Sequence, residues 1–365
     1  MAFRIGNFTL TSVTKLAHQS ASKQAGNRSL HITAKSMNKK FNQPLSGHDM
    51  PRSGGIATTF RLPHQDNKPE GLDACFVGIP MDNGVSGRTG TRLAPRQLRQ
   101  ESTIIRSVNM TGAAPFESIQ VADIGDVPVV PFNLKRTVNV ISDYYRRVAS
   151  AGCIPITMGG DHTLSYPILQ AMKEKYGRVA MIQIDAHTDL YDNMMGEKLA
   201  HSTPFRRALE EDLLSPEHVY QIGLRGSMYS VDEYSEVYEW AQNLGLKMVF
   251  ANECWHRSLD TLMAKIRKEL GDMPVYLTFD IDAIDSMDCP GTGTLETAGL
   301  TPIQALEIVR GCRGLNLIGA DVVEVNPLFD PSGATANMGA NLLFEILCVL
   351  PGVKYFDSPK GNVDF

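Results

Sequence analysis

The sequence has no C-x-x-C pair, no acidic residue before Asp49, and no apolar run near the ~18 residues that a membrane span needs. Each absence excludes something. The six cysteines, Cys75, Cys153, Cys254, Cys289, Cys312 and Cys348, stand singly, which suits a reduced compartment and argues against a zinc knuckle or a redox pair. They read as core thiols. Neither a P-loop nor a G-x-G-x-x-G follows any apolar run, so a nucleotide cofactor is unsupported. With 35 basic against 40 acidic residues and a formal charge of -5, no general basic field exists to attract nucleic acid. Neither a nucleic-acid nor a membrane partner is expected. The 365 residues, 43% hydrophobic and 21% charged, can bury a sizeable core, which rules out disorder, collagen and a small disulfide scaffold.

The acid-free stretch is a case of its own. Over residues 1–47 the charged residues are Arg4, Lys15, Lys23, Arg28, Lys35, Lys39 and Lys40, set among many Ser, Thr and Asn. Phe3, Ile5, Phe8, Leu10, Val13 and Leu16 interleave with the first of them in a run too broken for a secretory signal. This composition predicts a mitochondrial transit peptide, and hence a mitochondrial protein, with a disordered basic tail as the alternative. Without those basic residues the remainder is markedly more acidic than the whole, a charge that bound divalent cations would relieve.

From about Leu72 onward, apolar runs alternate with longer periodic segments. The runs are Ala74 to Ile79, Ile119 to Ile124, Ile154 to Met158, Val179 to Ile184, Val219 to Ile222, Lys247 to Phe250, Val275 to Phe279 and Leu317 to Val325. They read as strands buried on both faces. Helical stretches lie between them: Leu134 to Ala151, Leu164 to Lys175, Ser230 to Leu244, Ser258 to Leu270, Pro302 to Cys312 and Asn337 to Leu350. The alternation predicts a three-layer α/β/α domain with a mostly parallel sheet of about eight strands. It spans residues 72–355, preceded by an extension over 48–71 and followed by a tail over 356–365.

In such sheets ligands gather beyond the carboxyl ends of the strands. Three ends carry metal-ligand chemistry: Gly159-Gly160-Asp161-His162, Asp185-Ala186-His187-Thr188-Asp189 and Asp280-Ile281-Asp282. The two-residue period of extended chain puts Asp185, His187 and Asp189 on one side, and Asp280 with Asp282 on another. Four carboxylates crowded together would repel, and burial would force protons onto some of them. Two divalent cations balance the charge, and His162, Asp185, His187, Asp189, Asp280 and Asp282 make a six-ligand set for them. Oxygen-rich ligands with one imidazole per ion favour a hard ion such as Mn²⁺ over thiolate-bound zinc.

These three segments, with Phe279 to Asp285, Pro290 to Thr294 and the stretch around Glu324, resemble the signatures of the ureohydrolases, the family of arginase and agmatinase. Within it the likeness is strongest to the animal mitochondrial agmatinase and guanidino acid hydrolase group. The resemblance implies two manganese ions per subunit: His162, Asp185, Asp189 and Asp280 on one, Asp185, His187, Asp280 and Asp282 on the other. It further implies hydrolysis of a small guanidino substrate, agmatine or a guanidino acid such as 4-guanidinobutanoate, to urea and an amine by a hydroxide shared between the ions. Asp189 would relay a proton, Glu324 would take guanidinium N–H groups, and His201 would shuttle protons at the cleft mouth. Homo-oligomers, trimers or hexamers, are the family's habit.

Ser86-Gly87-Arg88-Thr89-Gly90, Ser202 after His201, and Asp285 to Pro290 depart from common family patterns, and all three are expected near the substrate's far end. Arg88 and Arg225 are candidates for a substrate carboxylate or, equally, structural charges. Asp280-Ile281-Asp282 also resembles the start of an aspartyl-phosphate phosphatase, but Ile284 and the two His-bearing segments do not fit that chemistry. Deacetylase-like amide hydrolysis uses one zinc and fewer carboxylates. The non-enzymatic alternative is a metal-binding companion subunit on the same scaffold.

Overall fold

The apolar runs form one sheet in the computed structural model, which describes residues 41–357. Its strands are β1 (Ala74–Gly78), β2 (Val121–Asp126), β3 (Ile154–Met158), β4 (Val179–Ile184), β5 (Leu214–Leu224), β6 (Lys247–Phe250), β7 (Pro274–Asp280) and β8 (Asn316–Val323). They lie in the order β2-β1-β3-β8-β7-β4-β5-β6, and every neighbouring pair is parallel. Parallel neighbours need crossovers, and helices supply them: α1 (Ala94–Ser102), α2 (Leu134–Ser150), α3 (Ser165–Tyr176), α4 (Pro204–Glu210), α5 (Asp260–Leu270) and α6 (Pro302–Gly311), while α7 (Ala334–Val349) follows the last strand.

Alternate strand residues feed two cores. Phe76, Ile156, Ile182, Leu277 and Phe279 pack with Leu98 of α1, Ile308 of α6 and Leu343 of α7. Cys75, Val77, Met181 and Ile318 pack with Val138 and Ile141 of α2 and Leu169 of α3. Full burial of one such side chain contributes about 1.5–3 kcal/mol, so the sheet's two faces both favour the pairing order. All six cysteines are free and buried.

Some local structure departs from expectation. The helix expected over 230–244 is broken into Val231–Tyr234, a π-turn Ser235–Glu239 and Trp240–Asn243. The wider turn sets Val237 and Tyr238 inward, with Tyr238 against Phe250 at 5.6 Å between ring centroids. Helices α1 and α4 were not expected, because both are short and polar, yet each carries Pro in its first turn. No helix among the described residues is long and apolar enough to cross a membrane. The transit segment expected over 1–47 and the tail over 356–365 fall, up to residue 40 and from residue 358, outside the described residues. Asn42 already bonds to β2, its side chain donating to Val121 O at 2.9 Å.

Segment 48–71 is built into the domain. Phe60 inserts its ring 5.1 Å from Phe76, and Thr59 donates its N–H and hydroxyl to Asp123 Oδ2, both at 2.8 Å. Asp123 also receives Arg99 of α1 in a two-point pair, Nε at 2.8 Å and Nη2 at 3.0 Å. Burial alone would raise the Asp123 pKa, but Arg99 and the main-chain donors hold it below the usual carboxylate range. That stabilisation is full above the unfolded value of about 4 and lost as pH falls through the lower folded value. Asp123→Asn is therefore expected to destabilise the protein by about 3 kcal/mol near neutrality. Urea unfolding should show the gap to wild type closing as the pH is taken below 4.

Register aligns the strands into transverse rows. Thr157, Asp321, Thr278, Gln183 and Gln221 form one row across β3, β8, β7, β4 and β5, all fully buried. The next row is apolar: Met158, Val322, Phe279, Ile184 and Ile222. One step further, at the carboxyl ends of β7 and β4, come Asp280 and Asp185.

Candidate active site

The segments carrying the expected ligands leave β3, β7 and β4, and Glu324 leaves β8, so four adjacent central strands deliver them to one place. After β3 the chain turns tightly through Gly160, where a Cβ would lie 1.9 Å from Met81 O; no side chain fits there. Asp161 then caps the turn His162–Leu164 by accepting the Thr163 N–H. Local main-chain donors fix the carboxylates in the same way. Asp185 Oδ1 accepts the His187 N–H at 2.7 Å, Asp280 Oδ1 the Asp282 N–H at 2.8 Å, and Asp282 Oδ1 the Ala186 N–H at 3.1 Å. Each has its other oxygen turned to the centre.

His162 Nδ1 lies 2.9 Å from Asp189 Oδ2, 3.2 Å from Asp185 Oδ2 and 3.4 Å from Asp280 Oδ2. His187 Nδ1 lies 3.0 Å from Asp282 Oδ2 and 3.6 Å from Asp185 Oδ1. Two groups of three, His162 with Asp185 and Asp280, and Asp185 with His187 and Asp282, each offer ligand atoms within 4.8 Å of one another and share Asp185. Asp189 and Glu324 stand at positive φ, 53° and 61°, a conformation few residues other than glycine adopt. They are two of nine such non-glycine residues among the described ones, so this conformation is shared with other loops and helps aim these two carboxylates without marking the site by itself.

Electrostatics test whether cations fit. Thr278 Oγ1 gives its only proton to Asp321 Oδ1 at 2.6 Å, so it must accept from His162 Nε2 at 2.8 Å. In the neutral ring Nδ1 is then a bare lone pair facing three carboxylates, an arrangement that needs a positive charge between them. Without cations, protons must serve. Burial first, then Asp282 and Asp185, push the Asp280 carboxyl far up, and burial with Asp185 lifts Asp189 to about 6. Against burial, the surrounding carboxylates raise His162 and His187 well above ordinary histidine, while those two rings hold Asp185 low. Four carboxylates and two imidazoles sharing protons this way suit a pair of divalent cations in donor type and charge.

The polar row beneath is what the sequence reading missed. Asp321 anchors Thr278 and also accepts from Tyr276 and Ser165, each at 2.7 Å. Gln183 donates to Asp185 Oδ2 at 2.8 Å and accepts from Gln221 at 2.6 Å. Glu296 stands 3.6 Å from His187 Nε2. The available signal was a polar side chain inside an otherwise apolar strand, as at Gln183, Thr278 and Asp321. Such orienting groups sharpen metal affinity. Thr278→Val is expected to weaken metal binding by roughly 10–100-fold, read by chelator competition on the folded protein.

Beside the cluster is a cavity of ≈ 220 Å³, whose wall includes Asp189, His201, Ser202, Asp280, Asp282 and Glu324. Glu324 Oε1 accepts the His162 N–H at 2.9 Å and faces His201 Nδ1 at 3.1 Å; Oε2 is buried with no partner. Burial opposes a proton on His201, but Glu324, with Asp189 and Asp161 behind it, outweighs that and raises its pKa. Ser86 and Ser202 line the cavity, as expected of two of the three departing segments; Asp285 to Pro290 does not. Of the two arginines, Arg225 is spent on structure, donating to the carbonyls of Asp282, Ala283, Ile284, Glu296 and Thr297. Arg88 lies over the Phe329 ring, 4.7 Å from its centroid, and is not part of the cavity wall.

The arrangement has known counterparts. The pattern of the arginase family matches residues 72–349. The guanidinobutyrase of Pseudomonas aeruginosa is 55% identical over 87% of this chain and 99% of its own. The mitochondrial agmatinase of Gallus gallus is 53% identical over 86% of this chain and 92% of its own. Among solved structures, proclavaminate amidinohydrolase from Streptomyces clavuligerus superposes with a TM-score of 0.75 at 33% identity, covering 82% of this chain and 99% of that one. A parallel eight-stranded sheet, the ligand-bearing strand ends and a match over the whole body lead to one assignment: this chain belongs to the arginase family.

Proposed function

We propose that this arginase-family hydrolase cleaves agmatine or a guanidino acid such as 4-guanidinobutanoate to urea and the corresponding amine, with two manganese ions per subunit as cofactor. The observation that carries this reading is the buried, unpartnered Oε2 of Glu324 in the wall of the same cavity as the histidine and carboxylate cluster. It is an acceptor waiting for a cation with N–H groups.

His162, Asp185, Asp189 and Asp280 would hold one ion and Asp185, His187, Asp280 and Asp282 the other. When bound, such a pair supplies Lewis acidity that makes water nucleophilic near neutral pH. The residues do the rest. Glu324 accepts guanidinium N–H bonds, which orients the electrophilic carbon toward the cluster. Asp189, in the cavity wall beside the cluster, passes a proton to the departing amine nitrogen. His201 exchanges protons with solvent beside Glu324. A guanidinium plus water gives urea plus an ammonium ion, so charge and atoms balance.

The outer wall of the cavity, Tyr191, Met194, Ser202, Ser227, Met228 and Tyr229, contains hydroxyls and thioethers and neither Lys nor Arg. Arginine would bring both an ammonium and a carboxylate to these neutral groups, whereas agmatine and 4-guanidinobutanoate each bring a single tail charge, which leaves less charge unmatched. Purified protein loaded with Mn²⁺ should release urea fastest, by kcat/KM, from agmatine or 4-guanidinobutanoate; arginine as best substrate would overturn the preference. The mitochondrial name of the Gallus gallus relative supports the same location here, and a trimer or hexamer is the assembly we infer. Residues 72–355 would be the catalytic domain.

A further inference from the structure

Ser86 lies on the loop that leads from β1 into α1, and the chemistry above gives it no part. Its Oγ is 2.9 Å and its main-chain N 3.3 Å from His201 Nε2. A main-chain N–H can only donate, so it marks Nε2 as the acceptor, and the ring proton then sits on Nδ1, facing Glu324 Oε1 at 3.1 Å. The acidic surroundings favour a second ring proton, but it would sit on Nε2, directly against the Ser86 N–H. The opposite neutral tautomer would turn the Nδ1 lone pair on the Glu324 carboxylate.

The loop is held so as to keep this contact. Gly84 donates its N–H to Asp161 Oδ2 at 2.9 Å, and its carbonyl accepts the His201 N–H at 3.0 Å. A Cβ on Gly84 would lie 2.1 Å from Thr163 Oγ1, so only glycine permits that approach. At the far end the Gly90 N–H donates to Asp82 Oδ2 at 2.8 Å, and Asn326 Nδ2 donates to the carbonyls of Arg88 and Thr89 at 3.1 and 3.2 Å. Ser86 sits between two tethers, its tip otherwise exposed.

We propose that Ser86 is a positioning residue whose hydroxyl, beside its own main-chain N–H, holds the His201 ring so that Nδ1 donates to Glu324 Oε1 and Glu324 keeps Oε2 free for the substrate guanidinium. This rests on the role given above to Glu324 and His201. Because Glu324 binds the guanidinium before and during reaction alike, losing Ser86 should act mainly on KM. In the manganese-loaded enzyme Ser86→Ala should raise KM roughly fivefold, the size of one ordinary hydrogen bond, with kcat within about twofold. Ser86→Thr should restore KM, and bound manganese should equal wild type in both.

The deciding measurement is a double-mutant cycle. In a His201→Asn background Ser86→Ala should add nothing. An undiminished KM effect in that background, or a loss of bound manganese in Ser86→Ala, would overturn the proposal. If His201→Asn and Glu324→Gln each left kcat/KM unchanged, the underlying reading of the site would fall, and the proposal with it.

Discussion

An Asp280→Asn protein should be folded and nearly inert. Asp280 is fixed by the Asp282 N–H and turns its other oxygen toward His162, so asparagine keeps the shape and removes one charge from the cluster. Urea release should fall by on the order of 10³-fold, the scale of losing one preorganised electrostatic element at a reacting centre. Stability should move the other way in the presence of a chelator. Burial and two neighbouring carboxylates already strain the ionised Asp280, and a neutral amide relieves them. Thermal unfolding with chelator should give a Tm at or above wild type. Unchanged urea release would dispose of the metal mechanism, whereas no urea from the manganese-loaded wild type with any of the proposed substrates would favour the companion-subunit alternative.

Glu324→Gln should have the second largest effect. The amide can still meet the His162 N–H, but it replaces a carboxylate edge with a neutral group that cannot form a charge-assisted pair with guanidinium. Truncating one side of a buried charge pair costs about 2–5 kcal/mol, so kcat/KM should fall by roughly 30-fold to several thousand-fold. Bound manganese should be unaffected, since Glu324 is outside the proposed ligand set. Loss of metal in this variant would mean that Glu324 supports the cluster instead of the substrate.

Much of this was legible in the amino-acid pattern. The eight strands declared themselves as apolar runs because parallel sheets bury both faces, and a run such as Val179–Ile184 has no other reading of comparable length. The candidate ligands stood out as carboxylates and histidines placed directly after apolar runs, but extended chain is not what gathers them: Asp189 stands at positive φ and Ile281–Ala283 is a 3-10 turn capped by Asp280. What stayed hidden depended on neighbours far away in the chain. Gln183 looks like an interruption of an apolar strand until register sets it beside Thr278 and Gln221. Arg225 could be read as a substrate partner or a structural charge alike, because carbonyl acceptors carry no mark in a sequence. Glu296 reaches His187 from a loop more than a hundred residues on, and no local spacing announces that.

The reacting centre draws on β3, β4, β7 and β8, whose residues are spread from Ile154 to Val323 but lie side by side in the sheet. One group, Asp185, His187 and Asp282, needs only the directly paired strands β4 and β7, but the other needs His162 after β3, which β8 seats beside β7, so the full pocket comes into being only when the last strand docks. Ions that bind there act as a latch on the finished architecture: at a hundred times its dissociation constant, one such ion deepens the native well by about 2.7 kcal/mol. Refolding followed by metal uptake would therefore report completion of the whole sheet, and chelation would loosen β8 and β3 together instead of merely emptying a surface site.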